Sequence, residues 1–220
     1  MLSADKLFAF AAIVVLLITS PGPNLFLLLR NTPVHGMRSG FAAILGFAVA
    51  IITHAVLSVL GIGTVMLSSP LGFATLKLLG ALYLIWLGVR AFKAFGDGEA
   101  IAVPELLNPA PRTPSLALRV SFREGFLTNA LNPKLAVFYL AIFPQFLETA
   151  GAPLLLQGML FGAVHAVLAV SWYGLVVLGL SGISRWISSG SVWRTIRGLS
   201  GVSLIYLGFR LLTIRNENGG

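Results

Sequence analysis

The chain has 220 residues, 57% of them hydrophobic and only 10% charged, with a net charge of +8 and no cysteine. Soluble domains carry about 25% charged residues, so a water-soluble fold is excluded, and the missing cysteines exclude disulfides and thiol chemistry. The positive charge lies between apolar runs, which argues against nucleic-acid binding and for the charge bias that orients membrane spans.

The first predicted helix covers 7–29. Asp5 and Lys6 precede it without the basic region and small-residue cleavage site of a signal peptide, so it is read as retained. Asn31, Thr32, Pro33 and Gly36 are expected to end it. The second helix covers 41–65 and stops at Ser68, Ser69 and Pro70. The third covers 71–92, before a polar run with Pro104, Pro109, Pro111 and Pro114 that reads as a linker. The fourth covers 122–147, and Gly151 and Pro153 separate it from the fifth, at 153–181. Ser188 to Ser191 precedes the sixth, at 197–214. Neither Ser39 to Leu76 nor Thr149 to Ser184 contains an Asp, Glu, Lys or Arg. A membrane span needs about 20 apolar residues, so each of these runs is long enough to cross.

Basic residues set the expected orientation. The first, third and fifth connections hold Arg30, Arg38, Arg90, Lys93, Arg112, Arg119, Arg123, Arg185, Arg194 and Arg197. The tails and even connections hold only Lys6, Arg210 and Arg215. This bias places the odd connections in the cytoplasm and both termini outside, in a bacterial cytoplasmic (inner) membrane.

The two halves of the chain match weakly but in order. KLLGALYLIWLGVRAF from Lys77 pairs with RGLSGVSLIYLGFRLL from Arg197, HAVLSV from His54 with HAVLAV from His165, and Pro21-Gly22-Pro23-Asn24 with Leu131-Asn132-Pro133-Lys134. Three helices per half is an odd number, so the halves must insert in opposite senses. The expected fold is therefore an all-α integral membrane protein of six transmembrane helices in two inverted-topology repeats, the architecture of many secondary transporters. It forms one domain over 1–220, with repeat one at 1–95, a cytoplasmic linker at 96–120 and repeat two at 121–215. Helices one and four are broken at their proline motifs.

Those breaks are the candidate substrate site. Pro21 and Pro23, flanking Gly22 and followed by Asn24, delete backbone donors in an apolar helix and should open it. In helix four, Pro133 suits the first position of a new half-helix, and Asn129 and Asn132 stand where caps would. A half-helix start favours a carboxylate and unwound carbonyls favour a cation, so the pair suits a zwitterion. Lys134 beside the break is placed to bind a carboxylate, or to snorkel to an interface. Lys77 is a secondary candidate that snorkelling or a structural pairing also explains.

His54 and His165 lie near the middle of helices two and five and are the candidate proton carriers. Asp5, Glu124 and Glu148 all fall near helix ends, so no carboxylate is expected deep in a span. Two histidines alone make a poor metal site, and neither a metal nor a cofactor is expected. No nucleophile triad or phosphate loop is present, so the chain is not read as an enzyme. Gly36, Gly40 and Gly46, with Gly158 and Gly162, suit close helix packing and permit a homodimer.

The chain resembles the LysE/RhtB family of amino-acid exporters over nearly its whole length. The resemblance rests on SPGPN in helix one, GMRSGF after it, KLLGALYLIWLG in helix three and NALNPKLAVFYLAIFPQF in helix four. The last is the most specific and adds Gln145, in its PQF, as a secondary candidate. The resemblance implies export of amino acids or related metabolites, driven by protons. His54 fits the homoserine- and threonine-exporting branch, whereas several members carry an acid near the place of His165. The shortage of deep acids favours a neutral cargo. A channel or facilitator and a non-transporting membrane scaffold are the alternatives.

Overall fold

The computed structural model describes residues 4–20, 22–68, 113–148 and 152–180, with isolated helical positions within 71–89 and 202–212. The third and sixth predicted spans, Lys77 and Pro21 lie largely or wholly outside the described residues. Among those residues every regular element is helical: α1 (Ala4–Thr19), α2 (Pro23–His35), α3 (Met37–Ser68), α4 (Pro114–Ala130), α5 (Pro133–Phe146) and α6 (Leu154–Leu180).

α3 and α6 each contain a stretch long and apolar enough to cross a membrane alone. α1 with α2 and α4 with α5 pass the same test as pairs, bent by 51° and 48° at their breaks. The described residues thus supply two spans, or four if each bent pair is one.

Two boundaries differ from the sequence reading. Helix one's second half runs through Asn31, Thr32 and Pro33 to His35. Pro33 removes only one donor, and the fully buried Asn31 is fixed by donating to Glu124 on α4. The chain turns at Gly36, whose φ of +81° suits glycine and whose N–H caps the Thr32 carbonyl at 2.9 Å. The second difference is that α4 begins at Pro114 and not near 122. Thr113 and Pro114 form a helix start, with proline at the first position where its missing donor costs nothing. Glu124 consequently sits inside a helix and is half-buried, not near an end.

α3 is the central element and packs along α4 and α6. Glycine makes both contacts possible. A methyl group on Gly46 would strike the Phe122 carbonyl, and one on Gly125 would strike the Ala43 carbonyl, so the α3 and α4 backbones touch. Gly158 and Gly162 of α6 lie against Val59 and Ala55 of α3. These glycines therefore serve packing within the chain, where van der Waals fit replaces hydrophobic burial as the driving force.

Phe10 at the start of α1 joins α5 and α6. Its ring lies 4.7 Å from Phe161 and 5.2 Å from Phe146. Such pairs each contribute about 0.5–1.5 kcal/mol beyond area burial. At the same end Lys6 binds Glu148 at 2.6 Å. That hydrogen bond, and then the charge of Lys6, hold the partly buried Glu148 carboxyl below the usual carboxylate range.

Candidate functional site

The second break forms as its residue types dictate. α4 stops at Ala130, and Pro133 pushes the residue before it out of the helical region, so Asn132 is extended at φ −73°, ψ 112°. The Asn132 side chain then accepts the Lys134 N–H at 3.0 Å and caps α5. Asn129 does not cap. It stays in the last turn of α4, where its amide donates to the Phe47 carbonyl at 3.0 Å.

At the first break, Gly22 is extended and Pro23 opens α2, with no side chain capping the new helix. The last turn of α1 instead meets Lys134. The Lys134 ammonium donates to the Leu17 carbonyl at 2.8 Å, the Ser20 carbonyl at 2.9 Å and the Ser20 hydroxyl at 2.8 Å. A lysine charge favours a helix C-terminus, where carbonyls lack partners. Lys134 is buried and does not snorkel. The two breaks are thus in direct contact, and Asn24 joins them again by donating to Asn129 Oδ1 at 2.9 Å.

Between the breaks lies a small cavity lined in part by Asn24, Asn129, Asn132, Lys134, His165 and Tyr173, with a volume of about 20 Å³. That is room for about one water. Tyr173 donates to the Ile18 carbonyl at 3.4 Å, and Asn24 Oδ1 faces no hydrogen-bond partner although the residue is buried.

The two histidines converge on a residue the sequence reading did not single out. Both rings lie nearly parallel to that of Tyr139, with centroids 5.8 Å away for His54 and 5.7 Å for His165 and interplanar angles of 13° and 10°. Its hydroxyl bonds His165 Nδ1 at 3.0 Å, while His54 Nε2 lies 3.0 Å from the Ala130 carbonyl at the break. Tyr139 sits in a π-helical turn, Phe138–Ile142, a distortion often found at functional sites. Its carbonyl accepts from the Ser58 hydroxyl.

Ser20 and Tyr173 were missed as well. Only the serine beginning SPGPN carried a signal; a tyrosine in an apolar helix reads as packing. Gln145 stands apart from this cluster and donates to the Ala141 carbonyl of its own helix at 2.7 Å. Among the described residues no group of three His, Asp or Glu is placed to hold a metal ion.

Comparison with known proteins shows the family of the whole chain. The chain is 31% identical over 210 residues to the homoserine/homoserine lactone efflux protein of Salmonella typhimurium, covering 95% of this chain and 97% of that protein. It is 27% identical over 207 residues to the leucine efflux protein of Klebsiella pneumoniae, covering 92% of each. It is 29% identical over 205 residues to an uncharacterised membrane protein of Bacillus subtilis, covering 93% and 97%. No solved structure matches. The model of the LysE type translocator family matches residues 15–215, and the chain belongs to that family.

Proposed function

We propose that the chain is a secondary exporter of amino acids or close derivatives, neutral ones in particular, working by proton antiport and alternating access. The observation that carries this reading is the meeting of the two helix breaks around the buried Lys134. Inside a bilayer, open backbone and ionised groups persist only where protein encloses them or water reaches them, and they mark substrate paths. A scaffold needs neither. The efflux activities named for two relatives support an amino-acid cargo. A cavity with room for about one water suits a carrier that must open to take its cargo better than a continuous channel.

In this reading six helices form two inverted repeats in the bacterial cytoplasmic membrane, with both termini outside and the breaks near the midplane. Pro21 to Asn24, Asn129 and Asn132 to Lys134 form the substrate site. His54 and His165, both packed against Tyr139, carry the proton in this reading. One proton entering through 100 mV supplies about 2.3 kcal/mol, or roughly a fifty-fold gradient of a neutral cargo. The test feeds each amino acid as a dipeptide to cells with and without the protein and measures internal pools. One pool should fall in cells with the protein and recover when the proton gradient is collapsed. Equal pools for every amino acid would sink the reading.

A further inference from the structure

We infer that the three oxygens holding Lys134 are the binding site for the substrate's own ammonium group, and that Lys134 fills it when substrate is absent. The inference rests on the reading of the chain as an amino-acid carrier.

The chemistry of the cage points this way. Leu17 and Ser20 offer two carbonyls and a hydroxyl to a single nitrogen, all at 2.8 to 2.9 Å. The Ser20 hydroxyl hydrogen is turned to the Leu17 carbonyl at 3.2 Å, which leaves its lone pair for the lysine. Three acceptors around one nitrogen match –NH₃⁺, which has three donors and no acceptor. An α-ammonium group is the same donor set.

The charge balance points the same way. All the side-chain partners of Lys134 are neutral oxygens, and among the described residues no carboxylate bonds it. A buried cation without a counter-ion is costly, so this site lacks one negative charge. It also holds a spare acceptor, because the buried Asn24 Oδ1 on the same cavity has no partner.

An entering zwitterion leaves the net charge unchanged but brings a carboxylate beside the buried cations and a second set of donors to the cavity. Its ammonium takes the cage, Lys134 swings off, and the displaced lysine pairs with the substrate's carboxylate. Neither half of the substrate can do this alone. An amine without a carboxylate leaves two buried cations side by side. An acid without an amine draws Lys134 away and leaves the cage oxygens bare. The device therefore selects free amino acids over their amides, esters and deaminated acids, and it keeps the α1 end closed when nothing is bound.

The test measures equilibrium binding of leucine, leucinamide and 4-methylpentanoate to the full chain in lipid nanodiscs. In the wild type, leucine should bind at least about ten-fold more tightly than either of the others. In Lys134→Met the cage is free, so leucinamide should gain at least about ten-fold over the wild type and overtake leucine. A lysine that merely supported the fold would weaken all three ligands and produce no such reversal. Leucinamide binding the wild type as tightly as leucine overturns the inference, and this comparison holds even if Lys134→Met does not fold. A folded Lys134→Met with no gain for leucinamide overturns it too. In either case the exporter reading survives if wild-type cells still lower an amino-acid pool, whereas unchanged pools remove both.

Discussion

The two helix breaks have related sequences and opposite chemistry. The second is self-sufficient: Asn132 caps α5, and Pro133 sits where its missing donor is harmless. The first has no side-chain cap, and the carbonyls at the end of α1 are satisfied from outside by Lys134. The pairing of the two motifs puts Asn24 in the place that Lys134 holds in the other half. One break therefore supplies neutral oxygens and an amide, and the other supplies a cation. In the proposed binding mode, similar chain paths around a common cavity would yield one pole for an ammonium and one for a carboxylate.

Variants can break this contrast. Lys134→Met has the largest expected effect, because it leaves the Ser20 carbonyl and hydroxyl oxygens without the lysine donor and the Leu17 carbonyl with only the Ser20 hydroxyl. The expected cost is about 2–3 kcal/mol, or roughly thirty- to 150-fold in export. Export assays on the variant and on Asn24→Ala check it: comparable losses at both positions would erase the difference between the poles. Asn132→Ala comes next. It removes the cap of the second break and should cost about 1 kcal/mol of stability. Gly22→Ala removes no such bond, its backbone is extended at φ −171°, and the new methyl would lie 3.4 Å from Lys134 Nζ, so it should cost less. Melting curves of the two variants measure the gap.

Tyr139→Phe keeps the ring against both histidines and loses the bond to His165, at about 1 kcal/mol. The pH profile of export should shift, with a melting change of the same order as that of Asn132→Ala; an unchanged profile removes Tyr139 from proton transfer. The smallest effect is expected at Glu148. Its folded-state carboxyl lies below the ordinary carboxylate range because of Lys6, so the pair stabilises the fold above that range. The stabilisation is lost as pH falls through the depressed value. Glu148→Gln should lower the melting temperature slightly at neutral pH and match the wild type in acid.

Much of this site is legible in the sequence because local rules govern it. Proline dictates where a helix opens, and an asparagine just before it reads as a cap, which Asn132 is. The two histidines were found by their repeated surroundings. What failed were features fixed across the chain. Lys134 finds its acceptors 114 and 117 residues away, a distance that no spacing rule spans. Tyr139 looks like any aromatic in an apolar helix until the fold brings both His54 and His165 against it. The Pro-rich run before α4 has linker composition, and that composition hid the helix start at Thr113 and Pro114. Placing α4 too late in turn moved Glu124 to an apparent end.

The crossing of α3 and α4 limits how the molecule can move. With Gly46 against the Phe122 carbonyl and Gly125 against the Ala43 carbonyl, main chain rests on main chain, with no side-chain layer to deform. Sliding either helix would drive a carbonyl into the opposite backbone, whereas rotation about the contact keeps it intact. In the proposed carrier cycle the crossing would therefore serve as a pivot, and the travel that opens the site would fall to elements joined by longer, releasable side chains, first among them the end of α1 gripped by Lys134. A bulkier residue at Gly46 or Gly125 would damage the bearing of the machine and leave its binding groups untouched.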